Sequence, residues 1–229
     1  MSEDLASLRA LIECTPPLPS LLEEARRRLD DDPGHDLEHA LRVALWTLRL
    51  GEGTLQPRHA VAAALFHDLV NVPKDDPERH LASDKSAALA SELLSSHGYA
   101  ADEVALVADA IRDHSYSRGA EPTTLLGRAL QDADRLEALG VLGVFRTIST
   151  GTRMGAAYFD GADPWARSRP LDDRAYSVDH FTTKLLRLPK TMCTSKGRAE
   201  ALRRTERMRA LLEDLGEELG QPYVPHPTL

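Results

Sequence analysis

Residues 57–68 read PRHAVAAALFHD and contain the longest apolar run of the chain, from Ala60 to Phe66. Proline is well suited to the first turn of a helix, where its missing N–H is not needed, and the alanine-rich body favours helix. The run is far too short to cross a bilayer, which takes about 20 residues. The stretch therefore predicts a helix that ends at His67 and Asp68, where the chain is free to turn both side chains inward.

Helical periodicity continues on both sides of this stretch. Ser20 and Asp102 are predicted to cap the helices that follow them. There is no convincing strand pattern and no internal repeat, so we predict an all-α protein built as a single helical bundle. The other predicted helices lie near residues 5–12, 20–31, 36–50, 83–97, 100–113, 123–133, 136–149, 176–188 and 191–219. The predicted organisation is an N-terminal helix with a proline-rich turn over 1–19, one domain over 20–219 and an extended tail over 220–229.

The composition restricts the classes of partner. The 229 residues include 28 Lys and Arg against 36 Asp and Glu, a net charge of −8, together with 9 histidines. Such an acidic chain should repel nucleic acid and anionic membranes. Cys14 and Cys193 lack the spacing of a thiolate zinc site and cannot form a disulfide framework. The N-terminus is acidic and has no long apolar run, so we expect a cytoplasmic protein without a signal peptide.

A mixed set of imidazoles and carboxylates stands out along the chain. His39 shares a helical stripe with Arg42, His67 and Asp68 end the alanine-rich helix, and Asp132 and Asp134 interrupt an apolar helical pattern. Buried carboxylates need a partner, because an unpaired buried charge costs several kcal/mol. Such N and O ligands suit Mn²⁺, Fe²⁺, Co²⁺, Ni²⁺ or Zn²⁺ better than Ca²⁺. A single helical histidine is, however, more often an ordinary packed or surface residue than a ligand.

Longer motifs surround these residues. They are HDLEHALRV at 35–43, HDLVNVPK at 67–74, DHS at 113–115 and QDADRLEALG at 131–140. The ordered set His39, His67–Asp68 and Asp134 resembles the H…HD…D signature of the HD-domain metal-dependent phosphohydrolases, and the resemblance covers roughly residues 20–215. It implies an all-α fold and a hydrolase that uses a metal-activated water.

The resemblance also implies roles for individual residues. The metal ligands would be His39 rather than His35, with His67, Asp68 and Asp134; Asp132 is the alternative to Asp134. Asp68 would also accept the proton of the attacking water. His114 would act as general acid or bind phosphate, and a hydrogen-bonded structural histidine is an equal alternative. We expect one divalent ion, drawn from Mn, Co, Ni, Fe, Zn and Mg. The candidate phosphate contacts are Arg42, Lys74, Arg118 and Lys184, and for the last three a solvated surface cation is an equal alternative.

The substrate implied is a small phosphorylated metabolite, above all a nucleotide. The reaction would be pyrophosphohydrolysis of a nucleoside triphosphate or a phosphatase reaction. Cyclic-nucleotide hydrolysis, a non-catalytic nucleotide sensor and a helical scaffold presenting residues 191–219 are the alternatives. One departure bears on the mechanism: Asn71 stands where some nucleotidases of the superfamily carry an acidic helper.

Overall fold

A computed structural model of the protein describes residues 4–29, 34, 36–70, 72, 77–115 and 118–228. Within these ranges the chain forms helices and a single isolated β-bridge between Ala157 and Tyr176, which confirms the all-α prediction. None of the described helices combines the length and the apolar character needed to span a bilayer. The α-helices are α1 (Leu5–Cys14), α2 (Leu18–Arg28), α3 (Leu37–Leu50), α4 (Pro57–Phe66), α5 (Ala82–Ser96), α6 (Ala101–Asp113), α7 (Leu125–Glu137), α8 (Gly140–Arg153), α9 (Asp179–Thr183) and α10 (Ser195–Glu218). Two 3₁₀ helices span Pro77–Leu81 and Leu185–Thr191.

The chain divides into two units, Met1–Asp134 and Arg135–Leu229. The first unit is built around α4, which packs against α2, α3, α5 and α6. Every residue from Ala60 to Phe66 is fully buried. A helix that is apolar on all sides belongs in an interior, and its small alanines let neighbouring helices approach closely. The predicted helix is therefore confirmed, although it ends at Phe66 and not at His67 and Asp68, and it forms the centre of its unit.

Two predicted caps are wrong. The helix α2 begins at Leu18, before Ser20, because a proline in the first turn needs no hydrogen-bond partner for its nitrogen. At α6 the capping residue is Ala100, and the Glu103 side chain accepts its N–H at 2.9 Å. Asp102 lies inside the first turn of α6 instead.

Two predicted helix boundaries are also corrected. The segments predicted as 123–133 and 136–149 meet near Asp134, whereas α7 runs unbroken from Leu125 to Glu137 and α8 begins at Gly140. Gly140 has φ 73°, a conformation that favours glycine, and this turn rather than the acidic residues separates the helices. The predicted helix over 176–188 is replaced by the short α9 and a 3₁₀ helix, because Lys184 leaves the helical conformation (φ −133°, ψ −61°).

The second unit holds α10 against α8 and against the 3₁₀ helix Leu185–Thr191. Its long connection between α8 and α9 is ordered by a buried ion pair. Arg169 donates to both carboxylate oxygens of Asp179, at 2.6 and 2.9 Å, and Asp179 also accepts the N–H of Asp172 at 2.7 Å. Beyond α10, the indole of Trp165 donates to the carbonyl of Gln221 at 2.8 Å.

Candidate metal centre

The N-terminus of α3 places the first histidine. Asp36 caps this helix, and its carboxylate accepts the N–H of His39 at 2.7 Å. A side chain cap of this kind satisfies one of the backbone donors that a helix leaves free at its start. His39 therefore lies in the first turn of α3, where its imidazole is only 1% exposed.

The end of α4 places the second histidine and the adjacent carboxylate. The helix ends at Phe66, and His67 directly follows it. Its Nδ1 lies 2.7 Å from the carbonyl oxygen of Ala64. Because a carbonyl only accepts, Nδ1 carries a proton, so Nε2, which faces Asp68 and the other histidine, is the nitrogen that can bind a metal once it is deprotonated.

Four side chains converge within this first unit. The Nε2 atoms of His39 and His67 are 3.2 Å apart. A carboxylate oxygen of Asp68 lies 3.4 Å from Nε2 of His67 and 3.9 Å from Nε2 of His39. An oxygen of Asp134, from α7, lies 3.6 Å from Nε2 of His39 and 3.9 Å from Nε2 of His67. Three segments distant in sequence thus bring two imidazoles and two carboxylates to one point.

The four groups fit a divalent transition-metal ion. Ligand atoms about 2.1 Å from an ion are about 3.0 to 3.4 Å from one another in octahedral or tetrahedral geometry. The observed separations of 3.2 to 3.9 Å lie at or slightly above that spacing. The donor set is mixed N and O, and the hydrogen bond from His67 to Ala64 holds that imidazole in the tautomer a ligand needs.

The electrostatics of the cluster favour a cation. Burial by itself lowers the pKa of His67, but the carboxylates of Asp68 and Asp134 outweigh it and raise that pKa to about 9. Burial tends to raise the pKa of Asp68, and His67 and His114 nevertheless hold it well below its usual range. The pKa of Asp134 is lowered by His67 and His39 against burial and the nearby Asp68. Two ionised carboxylates therefore face buried imidazoles and attract positive charge.

His114 adjoins the cluster from the end of α6. It follows Asp113 directly, is 4% exposed, and donates from Nδ1 to the carbonyl of Ile111 at 2.5 Å. Its Nε2 lies 3.6 Å from the second oxygen of Asp68. The rings of His67 and His114 meet edge to face with centroids 4.9 Å apart. Two histidines thus follow directly after two helix ends, each with Nδ1 on the carbonyl three residues earlier.

The structure gives the positions of three further residues that the sequence predicts as phosphate contacts. Arg42 is half-buried on α3, one turn after His39 and on the same face. Arg118 pairs with Asp84 at 2.5 Å. Lys184 lies in the second unit, where its backbone N–H donates to the carbonyl of His180 at 3.1 Å. Lys74 lies outside the described residues, as does His35. The roles of all these residues as phosphate contacts remain predictions.

The two candidate aspartates of α7 are separated by the helix geometry. Residues two apart on an α-helix point about 200° apart. Asp134 faces His39, whereas Asp132 is fully buried on another face of the helix. Among the described residues, the groups that could hold a metal are His39, His67 and Asp134, and His67, Asp68 and His114.

One residue beside the centre was not predicted from the sequence. Gln131 is 1% exposed on α7 and donates to the carbonyls of Asp113 and Ala120. Its sequence signal is weak: a glutamine that follows Leu130 and precedes Asp134 by three residues. That spacing places it on the same helical face as the carboxylate of the cluster.

Comparison with known proteins agrees with this arrangement. The HD domain family model matches residues 36–139. The chain is 31% identical over 196 residues to YpgQ, an uncharacterized protein of Bacillus subtilis, with 83% of this chain and 87% of YpgQ covered. A crystal structure of YpgQ in complex with ADP superposes with a TM-score of 0.68 at 26% identity, over 87% of this chain and 96% of YpgQ.

Two further solved structures carry the family description. An HD-superfamily hydrolase of Bacillus thuringiensis has a TM-score of 0.69 at 26% identity, covering 93% of this chain and 98% of that one. A predicted HD superfamily hydrolase from an uncultured Thermotogales bacterium has a TM-score of 0.62 at 27% identity, covering 92% and 98%. With the helical fold and the converging histidines and aspartates, these similarities show that the chain belongs to the HD-domain phosphohydrolase superfamily.

Proposed function

We propose that the protein is a metal-dependent phosphohydrolase that cleaves a small phosphorylated metabolite of the nucleotide class. The observation that supports this most directly is the convergence of two imidazoles and two carboxylates. The Nε2 atoms of His39 and His67 are 3.2 Å apart, and each lies 3.4 to 3.9 Å from an oxygen of Asp68 and of Asp134. We propose these four side chains as the ligands of one divalent cation. Such an ion, when bound, lowers the pKa of water and polarises a phosphoryl oxygen.

The residues beside the ligands would handle the proton. One oxygen of Asp68 faces His67 and the other faces Nε2 of His114 at 3.6 Å. Because Nδ1 of His114 donates to Ile111, Nε2 is the atom at which this imidazole gains or loses a proton. Asp68 is ionised and would receive the proton of the attacking water, while His114 would supply a proton to the leaving group or bind phosphate.

A nucleotide is the substrate class with the best support. YpgQ, with which this chain shares 31% identity, has been crystallised with ADP. A polyphosphate needs basic contacts, and Arg42, Lys74, Arg118 and Lys184 are the proposed ones. We propose pyrophosphohydrolysis of a nucleoside triphosphate or a phosphatase reaction; a nucleotide sensor or a cyclic-nucleotide phosphodiesterase would use the same pocket.

The decisive experiment is a release assay over nucleoside mono-, di- and triphosphates and cyclic nucleotides. It is repeated with Mn²⁺, Co²⁺, Ni²⁺ and Mg²⁺, and phosphate and pyrophosphate are scored separately. We expect metal-dependent release that falls at least about 100-fold in Asp68→Asn. The control is Asp109→Asn, an exposed acidic residue of α6. Tight nucleotide binding without release under any metal would favour the sensor, and undiminished release in Asp68→Asn would contradict the proposed mechanism.

A further inference from the structure

A buried glutamine joins the two ends of the segment that carries His114. Gln131 donates from Nε2 to the carbonyl of Asp113 at 2.9 Å and to the carbonyl of Ala120 at 3.1 Å. Asp113 is the last residue of α6 and directly precedes His114, whereas Ala120 lies beyond the other end of the segment. One amide group therefore holds the backbone on both sides of residues 114–119.

Both carbonyls need such a donor. The last four carbonyls of a helix have no partner within the helix, and Asp113 is one of them in α6. The carbonyls of Asp113 and Ala120 are part-buried, and a carbonyl removed from water without a partner is unfavourable. The glutamine amide has two N–H donors, which matches the number of carbonyls it meets. An apolar side chain at position 131 would leave both carbonyls without this donor, so the backbone around His114 would shift.

A second tie to the same segment is weaker. Arg118 pairs with Asp84 at 2.5 Å, and its Nε lies 3.7 Å from a carboxylate oxygen of Asp113. The Arg118 side chain is 32% exposed and that of Asp84 is 37% exposed. Ion pairs open to solvent contribute little to stability. The buried amide of Gln131 is therefore the stronger of these two ties.

Gln131 is linked to the metal centre through its own helix. Gln131 and Asp134 are three residues apart on α7 and share one face. The same face thus presents a carboxylate to His39 and an amide to the backbone beside His114. The position of His114 relative to Asp68, at 3.6 Å, depends on where α7 holds Asp113.

We propose that Gln131 is a positioning residue for His114. Its two hydrogen bonds hold the end of α6 so that Nδ1 of His114 donates to Ile111 and Nε2 faces Asp68. The bonds of Gln131 to Asp113 and Ala120 reach backbone carbonyls and not the imidazole itself. Gln131 acts through the orientation and the tautomer of one imidazole. The effect on catalysis rests on the proposed function, whereas the effect on the imidazole does not.

Nuclear magnetic resonance tests the structural effect without any turnover. Long-range ¹H–¹⁵N spectra of the histidines, recorded at alkaline pH, report which ring nitrogen carries the proton. His114→Ala identifies the signals of His114. We expect one Nδ1–H tautomer in the wild-type protein and a mixture of tautomers in Gln131→Met. The control is Gln56→Met, because Gln56 is exposed and its side chain makes no capping bond at α4. Unchanged His114 signals in Gln131→Met would overturn the proposal.

A double-mutant cycle tests the catalytic effect. We expect Gln131→Met to lower kcat about 10- to 100-fold with little change in the nucleotide KM, and to have no further effect in a His114→Ala background. Equal losses in both backgrounds would show a general structural role and overturn the proposal. Gln131→Glu, which keeps the side-chain length but removes the donors, replaces Gln131→Met if that variant does not fold. Absence of turnover in the wild-type protein would contradict the proposed function, while the spectra still decide the role of Gln131.

Discussion

Asp134 and Asp132 stand on different faces of α7, and this difference can be tested directly. We expect Asp134→Asn to weaken metal binding at least about 100-fold, since even the residues behind metal ligands contribute 10- to 100-fold. Asp132→Asn should leave the affinity nearly unchanged, because Asp132 belongs to neither of the two groups of described side chains that could hold a metal. The measurement is metal titration by calorimetry, with circular dichroism to show that both variants fold. Loss of the metal from Asp132→Asn alone would reverse the assignment.

The raised pKa of His67 predicts how metal binding depends on pH. In the metal-free protein Nε2 is protonated below a pKa of about 9, and a protonated nitrogen cannot be a ligand. Each metal bound near pH 7.5 should therefore release about one proton, and the affinity should fall roughly tenfold per pH unit from 8 to 7. Calorimetry in buffers of different ionisation enthalpy measures the protons released. Binding without proton release would exclude this protonation of His67.

Candidate residues that carry chemistry can be predicted from motifs in the sequence. The motifs predict His39, His67, Asp68 and Asp134 together, and in the structure the two imidazole Nε2 atoms lie 3.2 Å apart and 3.4 to 3.9 Å from the carboxylates. Motifs predict poorly the residues whose role depends on contacts distant in sequence. The contacts of Gln131 with Asp113 and Ala120, and those of Arg118 with Asp84, follow from helix packing and are invisible in the local pattern.

At the scale of elements, two aspartate caps provide a matched comparison. Asp36 caps α3 and accepts the N–H of His39; Asp4 caps α1 and accepts the N–H of Ser7 at 2.8 Å. Replacing either by alanine should lower the free energy of unfolding by about 1 kcal/mol. Only Asp36→Ala should also weaken metal binding, because only that cap holds a proposed ligand. Urea unfolding and metal titration measure the two effects, and equal metal affinities in both variants would contradict this reading.

The ion pair in the second unit should be important for stability. The Asp179 side chain is 1% exposed and that of Arg169 is 17% exposed. Removing one partner of a buried pair costs about 3 to 5 kcal/mol, so Asp179→Asn should lose about 3 kcal/mol because Arg169 reaches some water. Arg203→Ala removes an exposed partner of Glu200, which keeps its pair with Arg204, and should cost less than about 1 kcal/mol. Urea unfolding tests this through the midpoints, provided that the dependence of the unfolding free energy on urea is the same in all variants. Similar losses of unfolding free energy in both variants would show that the buried pair is no more important for stability than the other pair.

Elements were predicted where the local pattern is unambiguous and missed where context decides. The alanine-rich sequence of α4 predicts a helix without a competing alternative. The acidic residues near Asp134 suggested a break, yet α7 continues through them because Asp134 meets histidines and Asp132 is buried. The predicted helix over 176–188 had a suitable apolar pattern, but the turn at Lys184 depends on neighbours that the pattern does not contain.

For the whole molecule, the net charge of −8 predicts how the protein interacts with polyanions. A DNA duplex repels an acidic surface, and binding through phosphates requires clustered Lys and Arg. We expect no band shift with duplex DNA or RNA at 0.15 M salt. A band shift that weakens as the salt concentration rises would contradict this expectation and would show a basic surface patch that the net charge does not reveal.

The positions of His67 and His114 have a consequence for how this fold can vary. Each imidazole is the first residue beyond a helix, and each is anchored to the carbonyl three residues earlier. Adding one residue inside α4 or α6 would rotate the following histidine by about 100° and move it about 1.5 Å along the axis. The number of residues in α4 and in α6 therefore sets the direction in which the following imidazole points. Insertions and deletions should be tolerated in the connections but not within the two helices, however conservative the added residue.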